Sequence, residues 1–124
     1  MSKGQNEVTI HINIYHKLLA VLPQVSAATL LHIPNGEDRS AITGAKLKRM
    51  GLKPGAEDLQ FIFAGRLHAI EVKPEGKKQS QAQVDRAAAV VAAGGVYTVC
   101  RSIDDVRETL AEWGVPSREV RRDG

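Results

Sequence analysis

Cysteine, aromatic residues and long apolar runs are all scarce in this chain. A single cysteine, Cys100, excludes a disulfide within the chain, and with no second thiol it cannot build a cysteine-rich zinc site. It ends the apolar run Val96-Tyr97-Thr98-Val99-Cys100, which assigns it the role of a small buried hydrophobe. Aromatic residues make up 4% of the chain, too few for a platform that stacks successive single-stranded bases. No apolar stretch approaches the ~20 residues that span a bilayer, and no signal peptide is visible, so an intracellular, cytoplasmic location is expected. The four histidines, His11, His16, His32 and His68, lack zinc spacing. Neither a nucleophile motif nor a phosphate-binding glycine loop is present.

What remains suits one soluble domain: 124 residues, of which 43% are hydrophobic and 25% charged. The net charge is +3, compatible with a polyanionic partner. Residues 39 to 53 carry Arg39, Lys46, Lys48, Arg49 and Lys53 without one acid. Taken alone, that run also describes a solvated helix face.

The elements alternate between helix and strand. Residues 7 to 22 are ambiguous. Val8, Ile10, Ile12 and Ile14 alternate as a strand would, whereas Val8, Ile12, Tyr15, Leu19 and Leu22 form a helical stripe. Residues 28 to 33 read as a strand stopped by Pro34-Asn35-Gly36, and 39 to 50 as a basic helix stopped by Gly51. Ser80 is an N-cap for a helix to about Ala93, with Val84, Ala87, Ala88 and Val91 as its buried stripe. A strand over 96 to 100 and a helix from Ser102 to about Trp113 complete a β-α-β crossover, expected to be right-handed. The segment 116–124 is expected to be a mobile basic tail.

The chemistry concentrates in the hairpin between these elements. The strand Asp58-Leu59-Gln60-Phe61-Ile62-Phe63 turns at Gly65-Arg66 and returns as Leu67-His68-Ala69-Ile70-Glu71-Val72-Lys73. A Gly-X turn would pair Ala64 with Leu67, setting Gln60 opposite Glu71 and Asp58 opposite Lys73. Side chains alternate, so Asp58, Glu71 and Lys73 share one face at the solvated end of the hairpin. Leu59, Phe61, Phe63, Ile70 and Val72, joined by a packed His68, form the apolar face. Two carboxylates and an ammonium group suit a hard divalent cation and an activated water, and so phosphodiester hydrolysis. A surface hairpin with a plain Asp–Lys pair is the competing reading.

Several motifs fall in order along the chain: His32-Ile33-Pro34-Asn35-Gly36 with Arg39, then Gly51-Leu52-Lys53-Pro54-Gly55-Ala56-Glu57-Asp58, then Glu71-Val72-Lys73, then Ser80-Gln81-Ala82-Gln83. This ordered set resembles the virus-type replication-repair nuclease (VRR-NUC) family of the PD-(D/E)XK nuclease superfamily. The resemblance implies a single-domain restriction-endonuclease-like α/β fold over residues 1–115, with a mixed central sheet flanked by helices. It tips residues 7 to 22 towards a helix. It makes Asp58 and Glu71 ligands of Mg2+ or Mn2+, with the Val72 carbonyl and Glu7 as further ligands, and gives catalytic roles to Lys73 and Gln83. Arg39, Lys46, Lys48, Arg49, Lys53, Lys77 and Lys78 would hold DNA backbone. The implied activity is a structure-selective, Holliday-junction resolvase-like endonuclease acting on branched DNA as a homodimer. A noncatalytic DNA-binding module with the same fold is the alternative, because Glu57 stands where the family often has proline.

Overall fold

A computed structural model of the chain describes residues 6–34 and 41–119. Nine elements follow one another: α1 (Glu7–Val21), α2 (Gln24–Ala27), β1 (Leu31–His32), α3 (Ala41–Arg49), β2 (Leu59–Phe63), β3 (Arg66–Val72), α4 (Gln81–Ala92), β4 (Val96–Cys100) and α5 (Ile103–Glu112). The strands form one sheet in the order β1-β2-β3-β4. The first two pairings are antiparallel, and β3–β4 is parallel, joined through α4. The fold is thus α/β, with a mixed sheet flanked by helices.

The ambiguous first segment is a helix, begun by the Asn6 side chain accepting from the Thr9 amide at 2.8 Å. Its buried stripe is Ile10, Ile14, Leu18 and Val21, not the stripe running from Val8 through Ile12 and Leu19. Those three are exposed. Both stripes have helical spacing, but only the first presents an unbroken aliphatic series, at steps of four, four and three residues, toward α5 and the sheet. Leu59, Phe61, Ile70 and Val72 meet it from the sheet, and Val106 and Leu110 from α5. His68 packs into this face as expected, stacked on Phe61 at 5.0 Å and edge-on to Trp113 at 5.1 Å.

Three other expectations shift. The strand expected over 28 to 33 shortens to Leu31–His32, because α2 and a turn consume the residues before it. The Thr29 hydroxyl donates to the Ser26 carbonyl and accepts from the Ile62 amide at 2.8 Å, in place of a strand carbonyl. On α4 the buried residue is Val90, whereas Val84 and Val91 are exposed. The helix is rotated because Arg86 turns inward to a buried acid, described below. Finally, residues 116–119 are tied down: the Arg118 guanidinium donates to the carbonyls of Leu22 and Leu19, and Glu119 pairs with Lys17 and Arg107. The rest of the expected tail, and Arg39, lie outside the described residues.

Candidate metal and nucleic-acid site

The β2–β3 turn is Ala64-Gly65, not Gly65-Arg66, so Phe63 pairs with Arg66 and Leu59 with Ile70. Both turn residues have positive φ, 52° and 74°. This is the signature of a type I′ turn, whose twist matches that of the flanking strands. The shift in register is two residues, which preserves every side chain's face. Continuing the pairing outward sets Asp58 opposite Glu71 rather than Lys73.

The two carboxyls interact directly, and Glu71 is not solvated: only 2% of it is exposed. Burial first, then the hydrogen bond and charge of Asp58, push its carboxyl up to about 9, against opposing pulls from Lys73 and the Tyr97 hydroxyl. Around neutrality Glu71 therefore keeps its proton. Asp58 is anchored just before β2 begins. Its Oδ2 accepts from the Val72 amide at 2.7 Å, and its carbonyl accepts from the Ile33 amide at 2.8 Å. In extended backbone a residue's carbonyl lies on the same side as its N–H, so the Val72 carbonyl also points toward Asp58.

Gln83 reaches Glu71 because of how α4 begins. Ser80 and Gln83 form a capping box: the Ser80 hydroxyl accepts from the Gln83 amide at 3.2 Å, and Gln83 Oε1 accepts from the Ser80 amide at 2.8 Å. With Oε1 committed, Nε2 is left to donate to Glu71 Oε2 at 3.0 Å. Gln83 thus orients Glu71. Gly55 allows the approach. At φ +81° its backbone abuts the first turn of α4, where an added Cβ would lie 2.7 Å from the Gln83 nitrogen and closer still to the Ala82 carbonyl.

Two site residues escaped the sequence reading. The Tyr97 hydroxyl donates to Glu71 Oε1 at 3.4 Å and accepts from Gln79, which a strand residue in an apolar run gave no reason to expect. Glu57, noted only for standing where the family often has proline, is fully buried. It accepts from Arg86 Nε at 2.9 Å, Arg86 Nη2 at 3.3 Å and Gln60 Nε2 at 2.9 Å. Burial alone would raise its carboxyl, but these bonds and the Arg86 charge hold it below the ordinary range.

Around the carboxylate pair, Glu7 and Lys73 line one cavity with Lys77 and Lys78. Among the described residues, no three His, Cys, Asp or Glu side chains gather as a metal cluster, so Glu7 stands apart from Asp58 and Glu71. Lys46, Lys48, Arg49 and Lys53 are all exposed, on α3 and the loop after it. On the far side, His32 Nδ1 lies 3.0 Å from the Asp58 carbonyl oxygen, which makes it the protonated ring nitrogen, and His11 meets the His32 ring edge-on at 4.5 Å. Burial and His32 lower the His11 pKa, while Asp58 pulls the other way.

The residues present fit a hard divalent cation: two touching carboxyls, one holding a proton that an ion would displace, and a carbonyl beside them. The fold is shared with a solved structure, a VRR_NUC domain protein, at TM-score 0.73 and 24% identity over 90% of this chain and 89% of that one. No family model matches the chain, and no curated protein does. No helix among the described residues is long and apolar enough to cross a membrane.

Proposed function

We propose that this chain is a VRR-NUC family endonuclease, dependent on Mg2+ or Mn2+, that cuts branched DNA as a homodimer. The observation that carries this reading is the contact between half-buried Asp58 and buried Glu71, with Lys73 near it. Like charges in that position are costly unless a proton or a cation lies between them. A divalent ion held by Asp58, Glu71 and the Val72 carbonyl would supply a more acidic water and neutralise charge on the scissile phosphate. Lys73 orients the attacking water and offsets charge developing on phosphorus. Gln83 and Tyr97 fix the rotamer of Glu71. Lys77, Lys78 and the exposed cations of 46–53 hold the phosphate backbone without reading sequence.

The noncatalytic reading rested on Glu57 in the place of proline. The buried ion pair with Arg86 neutralises that charge and weakens the objection. Linear, nicked, flapped and four-way DNAs incubated with and without Mg2+ or Mn2+ test the proposal. Metal-dependent cleavage that favours branched forms is expected. Binding without cleavage in either metal would select the noncatalytic module. Sedimentation at micromolar concentration tests the dimer, and a strict monomer that cuts all four substrates equally would defeat the resolvase assignment.

A further inference from the structure

A cavity of about 460 Å³ lies between α1 and β1, and His11, Tyr15, His16 and His32 line it with Ile12, Leu30 and Leu31. Two edge-on ring pairs form part of its wall: His11 on His32 at 4.5 Å and Tyr15 on His16 at 5.3 Å. We propose that this cavity receives one unstacked nucleobase of the DNA next to the scissile phosphate.

Three observations support that occupant. First, His32 is hydrogen-bonded to the Asp58 backbone and His11 feels the Asp58 charge, so the cavity neighbours the residue that carries the site. Second, no Asp, Glu, Lys or Arg lines the cavity, whereas a separate cavity of about 400 Å³ is lined by Lys73, Lys77 and Lys78, with Glu7 as its one acid. The two cavities suit the two halves of a nucleotide, its anionic phosphate and its neutral flat base. Third, imidazole and phenol faces are the surfaces on which splayed bases stack. The low aromatic content spoke against a stacking platform, but it counts no histidine, and a pocket for one base needs only a few rings.

The inference rests on the nuclease reading and deepens it: the substrate would carry an unpaired or easily unpaired nucleotide at the point of cutting. In the test, a branched DNA carries a single abasic site, scanned over the nucleotides flanking the cut. Affinity is measured by anisotropy with Ca2+ in place of Mg2+. One position is expected where loss of the base weakens binding about fivefold or more. In His16→Ala, and independently in Leu31→Ser, both at exposed positions, the same abasic substitution should cost less than about twofold. No sensitive position in the parent protein, or undiminished sensitivity in both variants, would overturn the pocket. Cleavage of the same DNAs in Mg2+ separates the two claims. Cutting without base sensitivity defeats the pocket alone, and base sensitivity without cutting defeats the nuclease reading alone.

Discussion

Replacing Arg86 with methionine should destabilise the protein strongly at neutral pH and much less in acid. Glu57 is fully buried, while the Arg86 side chain keeps 29% of its surface exposed, so the arginine can be removed at little solvation cost of its own. What remains is a buried carboxylate held by Gln60 and a backbone N–H, after loss of two charge-assisted bonds. Breaking a buried pair in this way costs about 3–5 kcal/mol. For a chain of this size that lowers the melting temperature by roughly 10–25 °C. The pH dependence changes sign. In the parent the Glu57 pKa lies below its ordinary value of 4.5, so its contribution is present above that value and lost as pH falls through the folded pKa. In Arg86→Met, burial, the largest influence, is opposed only by the Gln60 and backbone bonds and raises the carboxyl. The deficit should therefore shrink as pH falls and Glu57 takes up a proton. Adding Glu57→Gln to the variant should recover most of the loss at neutral pH. Thermal melts by circular dichroism at pH 7.5 and 4.5 measure all of this. A single variant within 1 kcal/mol of the parent at neutral pH, or a deficit equal at both pH values, would refute the reasoning.

Other outcomes follow from the same geometry. Gly55→Ala should cost roughly 2–4 kcal/mol, since a side chain there meets both a left-handed backbone and the first turn of α4; denaturant titration measures it. Lys48→Ala with Arg49→Ala should weaken binding to all DNA sequences alike and reduce the salt slope by up to ~2, read from affinities at several ionic strengths. Because Glu71 holds its proton up to about 9, manganese affinity should rise by as much as about tenfold per pH unit between pH 7 and 9, with release of about one proton per ion. Calorimetry in buffers of different ionisation enthalpy counts that proton.

Much of the site was legible because strand alternation has a period of two. The turn was placed one residue late, yet the resulting two-residue shift in register left Asp58, Glu71 and Lys73 on one face and Leu59, Phe61, Ile70 and Val72 on the other. Helical periodicity was less decisive. Two stripes of α1 have acceptable spacing, and only packing against α5 and the sheet chooses Ile10-Ile14-Leu18. The orientation of α4 was misread because Val84 and Val91 are more apolar than Arg86, yet a buried Glu57 draws Arg86 inward. No local pattern announces a pairing across 29 residues. The same holds for Tyr97 and for the His11–His32 contact, each made by residues remote in the chain.

Glu71→Gln provides the most direct test of the nuclease account. The glutamine matches the neutral carboxyl that Glu71 presents without metal, so the metal-free variant should melt within a few degrees of the parent at neutral pH. It should also lose both stabilisation by Mn2+ and cleavage of branched DNA. A folded Glu71→Gln protein that cuts at the parent rate would contradict the account.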